Sequence, residues 1–186
     1  MSPRRNIEFK ARLTDWESAR RIAAEVATSN LGVEQQIDTY FVAAHGRLKL
    51  REIVGRGAWL IAYQRPDGHE TRGSDYRLIS ISEPADLSAA LATTLGICVV
   101  VRKRREIYLV DNVRVHFDQV EGLGDFLEFE SVLDPTHDDR QGHAQVASLR
   151  DRFRDVLGEP IACGYADLAR RRQCETTDAG PQGSNP

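Results

Sequence analysis

Residues 126 to 130 read "FLEFE" and residues 7 to 10 read "IEFK". In both, a charged side chain alternates with a large apolar one, the pattern of a β-strand with one apolar face and one charged face. Glu128 and Glu130 then share a face, as do Glu8 and Lys10. Two basic segments follow the same rule. "RLKLR" sets Arg47, Lys49 and Arg51 on one face with Leu48 and Leu50 on the other, and "VRKRREIY" sets Lys103 beside Arg105. Of the 25 Lys plus Arg in the chain, only Lys10, Lys49 and Lys103 are lysines, and each lies in such a strand. A chain that otherwise prefers Arg uses Lys where a compact ammonium is wanted. One such strand alone would read as a solvated face or as an edge guarded against aggregation. Three basic strands beside a pair of acidic ones call for a common space. If the charged faces turn inward in a closed antiparallel barrel, they converge on one lumen. Their repulsions must then be answered by ligands: a polyanion for Arg and Lys, a hard divalent cation for the carboxylates. Phosphate together with Mg2+ or Mn2+ is the chemistry of phosphoryl transfer.

The elements that would position these residues are legible from periodicity. Strands are expected near 5–13, 36–42, 46–54, 57–65, 74–82, 98–110, 112–119 and 125–133, separated by turns such as Asp67-Gly68, Asp111-Asn112 and Gly122-Leu123-Gly124. Thr14-Asp15-Trp16-Glu17 reads as a capping box that opens a helix to about Thr28, with Trp16, Ala19, Ile22, Ala23 and Val26 at helical spacing. Ser82 and Pro84 announce a second helix that Gly96 closes, with Leu87, Leu91 and Leu95 on one stripe. A third carries Val146, Leu149, Phe153 and Val156 and stops at Gly158. The fold class is therefore α+β, mainly antiparallel β: a closed eight-stranded barrel with flanking helices. Residues 1–172 form one domain, and the polar, Gly- and Pro-containing stretch 173–186 reads as a disordered tail.

Composition bounds the function. With 186 residues, 41% of them hydrophobic, one sizeable core is the expectation. The formal charge of −3 argues against a general nucleic-acid binder. No apolar run approaches the ~20 residues of a membrane span, and "MSPRRNIEFK" lacks a signal-peptide core, so a cytoplasmic protein without membrane attachment is expected. Cys98, Cys163 and Cys174 show no disulfide or zinc spacing. The five histidines form no HExxH. Gly55-Arg56-Gly57 reads as a hairpin turn, since no GK[ST] follows it. Arg170 to Arg172 read as a solvated helix end. Trp59 and Tyr63 share parity with Arg65, so they could line the mouth of the lumen and stack on a base, with core filling the leading reading of Trp59.

"NIEFKARL", "DTYF", "GRLKLRE", "YQRPD", "KRREIYL", "VRVHFDQVEGLGDFLEFE" and "GYADL" together resemble the CYTH superfamily, the triphosphate tunnel metalloenzymes, from about Arg5 to Leu168. The likeness is nearest to the class IV adenylate cyclase-like branch. The resemblance implies an Mg2+- or Mn2+-dependent enzyme acting on a small-molecule triphosphate: ATP converted to cyclic AMP and pyrophosphate, or else tripolyphosphate or thiamine triphosphate hydrolysed. A binding protein without catalysis is the third reading. Assembly as a homodimer is allowed. Carried over by position, Glu8, Glu128 and Glu130 match metal ligands. Lys10, Lys49, Arg51, Arg65, Lys103 and Arg105 match triphosphate-binding positions, with Arg47 a further candidate. Glu8, Lys10 and Asp118 are the expected catalytic residues. Asn6 stands where the family motif ExExK has its leading Glu, replacing a carboxylate with an amide.

Overall fold

The computed structural model describes residues 4–178. In chain order the elements are β1 (Arg4–Leu13), α1 (Trp16–Val26), β2 (Ser29–Phe41), β3 (Arg47–Ile53), β4 (Gly57–Gln64), β5 (Arg72–Ile81), α2 (Pro84–Leu95), β6 (Ile97–Val110), β7 (Val113–Val120), β8 (Gly124–Val132), α3 (Asp139–Arg152), β9 (Leu157–Pro160) and α4 (Tyr165–Asp178). The sheet runs β5-β4-β3-β2-β6-β7-β8-β1, and a further β1–β5 pairing closes it into an eight-stranded barrel. All its pairings are antiparallel. The short β9 is added outside the ring. It pairs with β1 at Ala11 and Leu13, while the first half of the same β1 edge, Arg4 to Glu8, pairs with β5.

Alternation determines where the core lies. On β1, β7 and β8 the outward residues are apolar, and Ile7, Phe9, Val115, Phe117, Leu127 and Phe129 are all buried. They are covered by α1 through Ala19 and Ala23 and by α3 through Val146, Leu149 and Phe153. The hydrophobic core thus sits between the barrel wall and its helices, which leaves the interior free to be polar. Gly142 lets α3 approach closely: a Cβ there would stand 2.8 Å from Leu133 and 2.9 Å from Ile7. On the other side, α2 covers Leu50 and Ala58. Among the described residues no helix is long and apolar enough to cross a membrane.

Three sequence expectations need correction. The cap of α1 is Asp15, which accepts from the backbone N–H groups of Glu17 and Ser18 at 3.0 and 3.1 Å. Thr14 instead donates its hydroxyl to the Val156 carbonyl at 2.9 Å, since it is the residue where β1 leaves the sheet. Second, β2 begins at Ser29, seven residues before the expected start, because pairing with β6 holds its polar first half in the sheet despite weak alternation there. Third, the chain after Gly158 is structured: β9 leads into α4, whose helix continues through Gln173 to Asp178, where a tail was expected. The rest of that tail, 179–186, lies outside the described residues.

Candidate active site

The barrel encloses a cavity of about 820 Å3, within the range of small-molecule sites. One end is closed. Tyr40, Val99, Val101, Val120 and Phe126 from the wall pack there against Ile161, Cys163, Tyr165 and Ala166 of the segment leading into α4. At the other end Leu31, Gly55 and Arg56 line a rim exposed to solvent.

Three strands supply the basic residues in the deep half. Lys49 and Arg51 on β3 and Lys103 on β6 converge on the fully buried Asp38 of β2, which pairs with Arg51 in the β2–β3 register. Asp38 Oδ2 lies 3.0 Å from Lys49 Nζ and 2.9 Å from Lys103 Nζ, and Oδ1 accepts from Arg51 Nε at 2.7 Å. Burial alone would raise the Asp38 pKa, but Arg51, Lys103 and Lys49 together hold it well below the usual carboxylate range. The lysines feel the same burial in the opposite sense. Lys49 is lowered well below an ordinary lysine by burial and by Arg51. Lys103 is lowered to about 8, by burial first, with Asp38 opposing.

Arg105 is held in the same manner. Its Nε and Nη2 donate to Asp118 at 2.6 and 2.5 Å, and Nη2 also reaches Glu128 at 2.7 Å. Tyr165 donates its hydroxyl to Asp118 at 2.7 Å. Asp118 is fully buried and is not among the cavity-lining residues; its contacts make it a group that positions Arg105. Its pKa is about 2: burial works against this, and Arg105 overcomes it. Lys10 Nζ sits 3.0 Å from Glu128 Oε1 and 3.7 Å from the centre of the Tyr165 ring. Arg65 donates to Glu8 at 2.8 Å, while its Nε and Nη2 are buried without a partner. Arg47 is not among the lining residues. It binds Asp67 and Asp167 at 2.9 and 3.1 Å, beside the closed end.

The acidic residues are set by the β1–β8 register, which places Glu8 opposite Glu130 and Lys10 opposite Glu128. His116 of β7 lies between the two β8 carboxylates, Nδ1 3.4 Å from Glu128 and Nε2 3.7 Å from Glu130. Burial, reinforced by Arg105, lowers its pKa and favours the neutral ring. Asn6 donates Nδ2 to Glu130. Because a carboxylate only accepts, that bond fixes the amide orientation and makes Oδ1 the free acceptor. Asn6 Oδ1 is buried with no partner. An unpartnered amide oxygen beside Glu130 and Glu8 is the oxygen-donor chemistry that suits Mg2+ or Mn2+. Among the described residues no three carboxylate, imidazole or thiol groups are drawn together at metal-binding spacing. Glu8 is turned to Arg65, and Glu130 to Arg114 at 3.3 Å.

A model of the CYTH domain matches residues 4–154. The chain belongs to the CYTH domain family. It is 31% identical over 138 residues to the adenylate cyclase CyaB of Aeromonas hydrophila, a match that covers 69% of each chain. A Pyrococcus horikoshii protein of known structure superposes with a TM-score of 0.75 at 24% identity, covering 88% of this chain and 98% of that one. An adenylate cyclase candidate from Vibrio parahaemolyticus superposes with a TM-score of 0.70 at 19% identity, covering 88% and 97%. The barrel is thus the CYTH fold, closed and eight-stranded as the alternation implied.

Within this CYTH barrel the sequence expectations omit Asp38, which holds three of the cations in place, and name Asp118 for catalysis without its pairing to Arg105. Ligands were expected to supply the counter-charge of the basic cluster, whereas Asp38 and Asp118 supply it from inside the wall. Asp38 shares the parity of Gln36 and Tyr40, so its inward direction was readable; the register that sets it against Lys49, Arg51 and Lys103 was not. His116 was passed over for want of a zinc spacing, although it shares parity with Asp118. Of the two readings of Trp59, the structure has the lining one: Trp59 and Tyr63 both face the cavity, and core filling does not hold.

Proposed function

We propose that this protein is a metal-dependent enzyme acting on the triphosphate of a nucleotide, with conversion of ATP to cyclic AMP and pyrophosphate as its reaction. The observation that carries the reading is the convergence of Lys10, Lys49, Arg51, Arg65, Lys103 and Arg105 on one closed-ended cavity that Glu8, Glu128 and Glu130 also line. The 31% identity to the Aeromonas cyclase supports cyclisation over other uses of the same cluster.

A divalent cation held by Glu8, Glu130 and Asn6 Oδ1, with Glu128 adjacent, would supply Lewis-acid polarisation of a phosphoryl oxygen. The chain's own residues do the rest. Lys49, Arg51 and Lys103 bind the triphosphate oxygens in competition with Asp38, and Arg105 with Lys10 carries the charge toward Glu128. The free Nε and Nη2 of Arg65 await an anionic acceptor. In cyclisation the ribose 3′-hydroxyl gives up its proton to solvent and its oxygen forms a bond to the α-phosphorus, the bond from that phosphorus to the α–β bridging oxygen breaks, and pyrophosphate leaves with its new charge stabilised by this cluster. Tyr165 and the segment before it close the deep end against bulk water.

Incubating the full chain with ATP and Mn2+ and resolving the products tests this. Cyclic AMP with pyrophosphate is expected; orthophosphate without cyclic AMP would replace the cyclase with a triphosphatase. Tight binding of ATP, tripolyphosphate and thiamine triphosphate with no product from any of them would leave a binding protein. The metal assignment has its own readout. Asn6→Glu adds a carboxylate beside Glu8 and Glu130, so the rise in melting temperature on adding Mn2+ should be larger than in wild type. An unchanged Mn2+ response would remove Asn6 from the metal site.

A further inference from the structure

The cavity changes character along its axis. Its deep half is lined mainly by charged and hydroxyl-bearing side chains, while toward the rim β2, β3, β4, β5 and β6 contribute Leu31, Ile53, Trp59, Leu78 and Ile107, an apolar stretch of wall beside the charged Glu34 and Arg56. An inorganic triphosphate would leave this apolar wall in water. Trp59 lies over Gly57, where a Cβ would stand 3.5 Å from the indole ring, an ordinary contact distance.

Beside this wall lies a polar atom without a partner. Gln36, only 3% exposed, is one inward position nearer the rim than Asp38. Its Nε2 donates to Glu34 Oε2 at 2.5 Å. As with Asn6, a bond to a carboxylate fixes the amide, so Oε1 is the acceptor. It is buried and receives no hydrogen bond. In register Gln36 faces Ile53 on one side and Lys103 on the other, while Trp59 faces Arg51. The acceptor, the aromatic surface and the cation cluster therefore occupy contiguous positions on neighbouring strands.

We propose that the outer half of the cavity is a subsite for a planar heteroaromatic ring bearing an N–H donor, with Trp59 as its stacking surface and Gln36 Oε1 as the acceptor for that donor. The substrate class is then a nucleoside triphosphate with an amino-bearing base, in preference to tripolyphosphate. This rests on the deep half being the triphosphate site. Stacking is tolerant of ring identity, so selection among bases falls to Gln36, whose buried oxygen is left unpaired by a ring that lacks the donor.

Calorimetric titration of the full chain with ATP, tripolyphosphate and purine riboside triphosphate, which lacks the amino group, tests the subsite. Wild type should bind ATP more tightly than tripolyphosphate. Trp59→Ala should weaken ATP by about tenfold or more while tripolyphosphate changes by less than about twofold, and Trp59→Phe should recover most of the loss. Gln36→Met should weaken ATP by about fivefold or more and erase its advantage over purine riboside triphosphate. Equal affinity of wild type for ATP and tripolyphosphate, or equal losses for both in Trp59→Ala, would overturn the subsite alone. Binding of neither would overturn the triphosphate reading and the subsite with it.

Discussion

Asp38 occupies the place where a phosphate oxygen would be expected among Lys49, Arg51 and Lys103. It is both the support of the cluster and a competitor for it. Asp38→Asn keeps the shape and removes the charge, leaving three cations with less compensation. The variant should lose about 3–5 kcal/mol of stability without ligand, yet gain a larger rise in melting temperature from tripolyphosphate than wild type. A variant as stable as wild type would mean that the pairing contributes little. The lowered pKa of Lys103 gives a second expectation. With a value of about 8, Lys103 is charged below that pH and neutral above it. Burial lowers Lys10 and Lys49 in the same sense. Triphosphate affinity should therefore fall as pH rises from 7.5 through 9, a range in which the carboxylates stay ionised and, among the residues lining the cavity, the lysines are the ones to lose charge. A flat profile, measured by calorimetry, would remove Lys103 from the binding site.

Strands were legible because alternation is dictated locally: "IEFK", "RLKLR" and "FLEFE" each carry their two faces in their own residues. The closing segment was not, because the two-residue spacing of Ile161, Cys163 and Tyr165 is too short to show what they face, and what buries them is the far end of a barrel made by other strands. Site residues divide along the same line. Lys49, Arg51, Lys103 and Arg105 were readable as inward positions, whereas Tyr165 and Asp118 acquire their partnership only through a contact spanning 47 positions of the chain. Tyr165→Phe isolates that contact while keeping the ring that packs on Phe126 at 4.9 Å. A hydrogen bond to a charged group is worth about 1.5–3 kcal/mol, so the unfolding free energy of the variant in a denaturant titration should be lower by that margin, with the midpoint moved down accordingly. If chemical denaturation shows no loss, α4 closes the barrel by packing alone.

At the scale of the whole molecule, a barrel with its core outside and its charges inside resembles a scaffold waiting for a polyanion. Ligand that binds only the folded state at 100 times its dissociation constant adds about 2.7 kcal/mol, which for a chain of this size raises the melting temperature by roughly 5–10 °C. Tripolyphosphate should produce that shift in low salt and a smaller one at 1 M salt, where the Debye length is ~3 Å. A shift indifferent to salt would argue against the cation cluster as its source. The dual pairing of β1 bears on synthesis as well. Its residues 4–13 meet β5 on one side and β8 on the other, and the last of β8 is Val132. At ~5–20 residues per second, β1 waits about 6–24 s for β8, its final neighbour. During that interval α1 and β5 are the elements available to cover Ile7, Phe9 and Leu13, so the β1 edge that becomes the closing seam of the finished barrel stays open, a strand edge on which a chaperone could act.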